Sequence, residues 1–245
     1  MNRRLVTLLF LLLPALAGAT GGGGHLDKAN IDLTSKHSLQ KGAKLFVNYC
    51  LSCHAAAYQR YNRMASDLGL TEQQVIDNLM FASEKIGEPM TVAMSRQDGK
   101  NWFGAPPPDL TLVSRSRGPD WLYTYLRTFY LDESRPFGVN NLVFPSVGMP
   151  HVLWELQGWQ KPVYKTVEHE GKERQVIDHL ELVEPGTMTP AEYDKAITDL
   201  VNFMTYMGEP VKLERQALGI KVLLFLLVLL VITYLLKKEY WKDVH

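Results

Sequence analysis

Both cysteines of this 245-residue chain lie within one pentapeptide, Cys50-Leu51-Ser52-Cys53-His54. The Cys-x-x-Cys-His spacing is the attachment signature for c-type haem. Two thiols at this spacing can each form a thioether with a vinyl group on one edge of the porphyrin, and the imidazole that follows can take an axial position on the iron. The alternatives are a disulfide or a thioredoxin-like motif, but the residues before Cys50 indicate a helix rather than a βαβ unit. The motif predicts one haem c, bound covalently through Cys50 and Cys53, with His54 on the iron.

The first residues of the chain have the features of a cleaved signal peptide. Arg3 and Arg4 form a basic n-region, residues 5–13 are almost entirely apolar, and the small residues of a cleavage region follow. An uncleaved anchor is the alternative, but the apolar stretch is short for a membrane span. We therefore expect residues 1–19 to be removed. The rest of the chain is then exported from the cytoplasm. In bacteria, c-type haem is attached on that outer side of the membrane.

A second apolar segment, Ala217 to Leu236, lies near the C-terminus and contains a single charge, Lys221. At a rise of about 1.5 Å per residue this segment covers the roughly 30 Å hydrocarbon core of a bilayer. A buried core helix is the alternative, but a segment without a polar face is more typical of a membrane span. We expect a transmembrane helix over residues 213–236. Because export carries the N-terminal part across the membrane, residues 237–245 are expected to remain in the cytoplasm as a short tail.

The chain between these segments, residues 20–212, is long enough for one domain with a single core. Residues 20–210 contain 18 Lys and Arg against 23 Asp and Glu, a net charge of −5, although the formal charge of the whole chain is zero. An acidic exported domain disfavours nucleic acid as a partner and suits a basic soluble protein.

This domain is predicted to be mostly α-helical with long loops. Ser38 can cap a helix that leads into the Cys-x-x-Cys-His motif. Residues 189–192, Thr-Pro-Ala-Glu, form a capping box at the start of an amphipathic helix near the end of the domain. Helical patches cover residues 71–85 and 120–130, while repeats and strong strand alternation are absent. A helix before the Cys-x-x-Cys-His motif and an amphipathic helix near the end of the domain are the frame of a cytochrome c-like domain. One transmembrane helix follows this domain.

The second axial ligand of the iron is less constrained by the residues. Met149 stands in residues 144–150, where flanking glycine and proline keep the backbone out of a helix. Met188 lies in another loop, directly before the capping box, and His151 would give a bis-histidine haem. The other internal methionines are mostly interpreted as adaptable core residues. The spacing favours Met149 and leaves Met188 and His151 open.

A proline-rich segment and an Arg-x-Arg motif connect the chain to a known family. The sequence GAPPPDL at residues 104–110, followed by RSR at residues 115–117, resembles the corresponding segments of cytochrome c1. The Gly-Met-Pro at residues 148–150 resembles the methionine loop of the same family. The order of haem motif, Pro-Pro-Asp-Leu, methionine loop, C-terminal helix and membrane anchor also agrees, so the resemblance covers nearly the whole mature chain.

The resemblance assigns roles to individual residues. It implies that His54 and Met149 are the axial ligands of the iron, and that the rival loop methionine only packs. It further implies that Arg117 pairs with a haem propionate, although without the family a solvated surface charge would be the default interpretation. Pro107 and Pro108 are expected to line the haem pocket.

The resemblance also implies a function, that of the electron-transfer subunit of the respiratory quinol:cytochrome c oxidoreductase, the cytochrome bc1 complex. Such a subunit passes one electron at a time from the Rieske iron–sulfur protein to a cytochrome c and is not an enzyme on its own. Cytochrome b and membrane lipid are expected around the anchor, in a dimeric complex of the bacterial inner membrane with the haem domain in the periplasm. The alternative is a membrane-anchored c-type haem enzyme, which needs an open position on the iron, or an electron carrier for another periplasmic oxidoreductase.

Overall fold

The computed structural model describes residues 25–169 and 172–243; the predicted signal peptide, residues 1–19, lies outside them. About 48 % of the described residues are helical, which confirms the mostly α-helical fold. The helices are α1 (Lys36–Tyr49), α2 (Tyr61–Leu68), α3 (Glu72–Leu79), α4 (Arg96–Phe103), α5 (Val113–Arg117), α6 (Pro119–Arg127), α7 (Trp154–Gln157), α8 (Pro190–Gly208) and α9 (Lys212–Tyr240). Antiparallel pairing joins β1 (Ala56–Arg60) to β2 (Pro89–Met90), β3 (Phe129–Leu131) to β4 (Val139–Asn141), and β5 (Gly158–His169) to β6 (Lys172–Pro185).

The main core forms where α1 packs against α8. Gly42 makes this packing possible, because a Cβ at that position would lie 2.0 Å from the Asp199 carbonyl oxygen. Beside it the fully buried rings of Phe46 and Phe203 meet with their centroids 5.7 Å apart. Aromatic side chains of this size contribute much of the apolar area that stabilises a core. Since Cys50 directly follows α1, this packing also fixes the position of the Cys-x-x-Cys-His motif.

The predicted cap of α1 is wrong by three residues. The side chain of Ser35, not Ser38, caps the helix, and it accepts a hydrogen bond from the Ser38 amide at 3.3 Å. Ser38 is buried, where its hydroxyl donates to the Asp199 carboxylate and accepts from the Asn202 side chain at 2.7 Å. Both serines suit a cap locally. The long-range partners on α8 decide between them, and the local sequence does not contain that information.

The other predicted helices are present with different lengths. The capping box of α8 is confirmed, since the amide of Thr189 donates to the Glu192 carboxylate at 2.9 Å and the Thr189 hydroxyl accepts from the Glu192 amide. The patch predicted over residues 71–85 is helical only through α3, because Met80 leaves the helical conformation with ψ 83°. The patch over residues 120–130 ends with α6, because the residues that follow pair with β4 instead.

The β5–β6 hairpin was not predicted, although the sequence does lack strong strand alternation. Its two long strands pair from Gly158 opposite Pro185 outward, with register shifts near Trp159 and Val163. Most of its side chains are exposed or half-exposed on both faces, including Tyr164 at 55 %. Alternation of apolar and polar residues arises when only one face of a sheet is buried. This hairpin has no such face, and the pattern is therefore missing from the sequence.

The C-terminal helix α9 is separate from the domain core. It is the single helix in the described part of the chain that is long and apolar enough to cross a membrane, as predicted. None of its residues is buried against the rest of the protein. Its 29 residues extend for about 43 Å at 1.5 Å per residue, more than the hydrocarbon core requires. Residues 213–236 lie inside it, and Lys237 and Lys238 occupy its last turn, where basic side chains can reach lipid headgroups.

Candidate functional site

A cavity of about 420 Å³ brings together every residue that the sequence analysis selected. Its size is within the range of cofactor and small-molecule pockets. Most of its lining is apolar, which suits a flat, largely hydrophobic macrocycle. The selected residues that line it are Cys50, Cys53, His54, Pro107, Pro108, Arg117 and Met149.

The two cysteines lie at the turn that ends α1. The amides of Cys53 and His54 both donate to the Cys50 carbonyl, at 3.1 and 2.9 Å, and this compact turn directs the motif into the cavity. Both thiols are free of disulfide bonds. Burial raises the pKa of the Cys50 thiol to about 12, so this sulfur is held as a neutral group. A thioether carries no ionisable proton, and the burial of Cys50 therefore suits a sulfur in thioether linkage.

The imidazole of His54 is fixed in a form that can bind metal. Its Nδ1 lies 2.8 Å from the carbonyl oxygen of Pro108. Because a carbonyl only accepts hydrogen bonds, Nδ1 carries the proton and Nε2 keeps its lone pair. Burial lowers the pKa of His54, against the opposing effects of the Pro108 carbonyl and the Asp109 carboxylate, and thus favours the neutral imidazole. Hydrogen bonds of this kind orient metal-ligating histidines and raise their basicity.

The proline-rich segment forms the wall beside His54. The Asp109 carboxylate accepts from the amides of Ala57 and Thr111, at 2.7 and 2.8 Å, and the Leu110 amide donates to the Ala55 carbonyl. These bonds fasten the segment to the chain that follows the Cys-x-x-Cys-His motif. Pro108 is thereby held where its carbonyl orients the histidine.

Met149 enters the cavity from the loop that follows β4. Val147, buried to 2 % exposure beside Phe129 and Val139, anchors this loop. The amide of Ser146 donates to the Asn140 side chain at 2.8 Å, and Ser146 itself has a positive φ of 64°. Two anchors so close to Met149 give its half-buried side chain a defined place in the cavity.

The two rival ligands lie outside the lining of the cavity. Met188 packs on the edge of the main core, and its amide donates to the Leu156 carbonyl at 3.1 Å. His151 is buried at 5 % exposure, with its ring stacked on Phe129 at a centroid distance of 5.0 Å. The structure therefore brings Met149, and neither rival, together with His54. Met204 on α8, which the sequence assigned to packing, also lines the cavity.

An aromatic wall on α6 was missed by the sequence analysis. Trp121 and Tyr125 line the cavity and stack with centroids 5.0 Å apart and an angle of 8° between the rings. Their separation of four residues, which places side chains on one helix face, was the available signal. Arg117 lies over the Trp121 ring at 5.2 Å, and it is the one charged side chain among the described residues that line the cavity. The Tyr125 hydroxyl donates to Met149 Sδ at 3.4 Å, and burial raises the pKa of this phenol.

Comparisons with known proteins agree with the motifs and the cavity. The model of the Cytochrome C1 family matches residues 28–244. The chain is 54 % identical to cytochrome c1 of Allochromatium vinosum, over 99 % of this chain and 100 % of that protein. It is 49 % identical to a Nitrosomonas europaea protein named ammonia monooxygenase gamma subunit, over 99 % of this chain and 98 % of that protein. A Bradyrhizobium diazoefficiens protein named cytochrome b/c1 is 26 % identical over 85 % of this chain and 33 % of its own length. The chain belongs to the cytochrome c1 family.

Proposed function

We propose that this chain carries single electrons from the Rieske iron–sulfur protein to a cytochrome c within a cytochrome bc1 complex. The family is that of the haem c subunit of this complex, a redox subunit that works beside cytochrome b. The observation that carries the proposal is the single cavity in which Cys50, Cys53, His54 and Met149 meet. The residues present therefore fit a covalently attached haem with two protein ligands.

The roles of the side chains follow from their positions. When bound, haem c would supply one iron that gains and loses a single electron. Cys50 and Cys53 would hold its edge, His54 would offer the free lone pair of Nε2, and Met149 would offer its thioether sulfur. With both His54 and Met149 bound to the iron, no ligand position would remain for a substrate. The site thus suits electron transfer and not the chemistry of a haem enzyme.

The remaining lining residues would tune and seal the site. Pro107 and Pro108 contribute apolar lining to the cavity, and so does the aromatic wall of Trp121 and Tyr125. Arg117, held over Trp121, would place its guanidinium beside a haem propionate. A thioether ligand and an apolar surrounding would both favour the reduced iron and raise the reduction potential.

The arrangement of the whole chain is proposed from its two apolar segments. Residues 1–19 would be the signal peptide, residues 20–212 the periplasmic domain, 213–236 the single-pass anchor and 237–245 the cytoplasmic tail. The anchor would contact cytochrome b and lipid in a dimeric complex of the bacterial inner membrane. The relative named cytochrome b/c1 supports a close association with cytochrome b. The acidic domain suits a basic cytochrome c as acceptor.

A second candidate is an electron carrier for another oxidoreductase. The name of the Nitrosomonas europaea relative, ammonia monooxygenase gamma subunit, favours it. The same site would serve in that case, and only the donor and acceptor would differ. The two candidates therefore make different predictions about which proteins accompany the chain in the membrane.

Purification of the native complex tests the proposal. We expect cytochrome b and the Rieske protein to copurify with this chain, and an added quinol to reduce its haem before an external cytochrome c is reduced. The control is the same preparation after loss of the Rieske cluster, in which the haem is expected to stay oxidised. The proposal would be contradicted if the chain purified without cytochrome b, or if an added quinol did not reduce its haem. Either result would favour the second candidate.

A further inference from the structure

The hydroxyl of Tyr125 points at the sulfur of the proposed iron ligand. Its oxygen lies 3.4 Å from Met149 Sδ, within hydrogen-bonding distance for sulfur. We propose that Tyr125 is a positioning residue that sets the donor strength of the Met149 sulfur through this hydrogen bond and thereby raises the reduction potential. This inference rests on the proposal that Met149 ligates the iron.

The ring of Tyr125 has little freedom to turn away from the sulfur. It stacks on Trp121 at 5.0 Å and forms T-shaped contacts with Phe129 at 5.1 Å and with Phe144 at 6.5 Å. Aromatic contacts of this kind lock a side chain in place. The direction of the hydroxyl is therefore set by packing before any cofactor binds, and the hydrogen bond to Met149 follows from that direction.

The chemistry of a thioether allows both interactions at once. The sulfur of methionine has two lone pairs, so one can bind a metal while the other accepts the phenol proton. A donated hydrogen bond draws electron density away from the sulfur. The sulfur is then a weaker donor, which disfavours the ferric state more than the ferrous state. Hydrogen bonds to axial ligands are an established means of tuning a haem potential.

Tyr123 provides a matched control on the same helix. It lies two residues before Tyr125 and its ring packs under the Arg127 guanidinium at 4.5 Å, away from the cavity lining. A Tyr123→Phe change removes one phenol hydroxyl from α6 and leaves the surroundings of Met149 intact. A Tyr125→Phe change keeps the ring and its aromatic contacts and removes only the donor to sulfur.

Redox titration of the haem-loaded complex tests the inference. For Tyr125→Phe we expect an oxidised-to-reduced ratio about fivefold higher at a fixed ambient potential, which corresponds to a potential about 40 mV lower at 59 mV per tenfold change. The methionine-to-iron charge-transfer band is expected to remain. Tyr123→Phe is expected to leave the ratio unchanged. An unchanged ratio in Tyr125→Phe would overturn the inference.

A double-mutant cycle separates the sulfur contact from a general effect of polarity. In a Met149→Leu background, Tyr125→Phe is expected to cause no further shift, because no sulfur is left to accept the proton. An equal shift in both backgrounds would overturn the inference. If Met149→Leu alone keeps the charge-transfer band, the ligand proposal and this inference both fail. If that band is lost while Tyr125→Phe has no effect, only the inference fails.

Discussion

A Met149→Leu variant is expected to lose the methionine-to-iron charge-transfer band and to have a reduction potential lower by roughly 0.1–0.3 V. The choice of axial ligands changes the reduction potential of a haem over a range of about 0.8 V. Leucine has nearly the volume of methionine but no lone pair. The fold and the covalent attachment are therefore expected to survive, since such exchanges usually cost less than about 1.5 kcal/mol of unfolding free energy. Visible spectra and a redox titration of the purified complex measure both effects.

Two other methionines serve as controls for this variant. Met188 lies outside the cavity lining, and Met204 lines the cavity from α8. Met188→Leu and Met204→Leu are each expected to leave the band in place and the potential nearly unchanged. If the band were lost in either control variant but kept in Met149→Leu, the ligand would belong to a different element of the fold.

Removal of residues 212–245 is expected to move all of the protein from the membrane fraction to the soluble fraction, when it is expressed without partner subunits. No residue of α9 is buried against the domain, so little folding energy is lost with it. Among the described residues, the one ion pair that joins the deleted segment to the rest of the domain is Arg215 with Glu209, which is largely exposed on its arginine side and contributes little. The midpoint of thermal unfolding is expected to change by no more than about 2 °C.

A shorter deletion is the control for the anchor. Removal of residues 237–245 leaves the apolar part of α9 in place, and this variant is expected to stay in the membrane fraction. The account of α9 would be wrong if the longer deletion still sedimented with membranes. It would also be wrong if that deletion lowered the unfolding midpoint by many degrees, because the helix would then be part of the core.

The fold was predictable from sequence where local signals and tertiary packing agree. The helix before Cys50 and the helix that begins at the Thr189 capping box are both present, because their apolar stripes face each other across the core. The cap at Ser38 was wrong, since a buried contact to Asp199 overrides its local preference. The β5–β6 hairpin was missed, because strands exposed on both faces leave no alternation to detect.

The cavity could be predicted in part. Cys50, Cys53 and His54 follow from one motif, because haem attachment demands their spacing. The residues alone favoured Met149 but left Met188 and His151 open as ligands, and the family resemblance was needed to choose among them. The contact between Tyr125 and Met149 spans 24 residues of chain and depends on how α6 meets the loop after β4. No local pattern encodes such a contact.

The mass of the mature, denatured chain tests most directly the claim that this cavity holds a covalent haem. We expect the mass of the processed polypeptide plus one haem, with both Cys50 and Cys53 modified and no disulfide between them. We also expect that haem remains with the protein through acid–acetone extraction and that the denatured band stains for haem. A polypeptide mass without haem, or haem that extracts into the acetone, would show that the cavity does not hold a covalent haem.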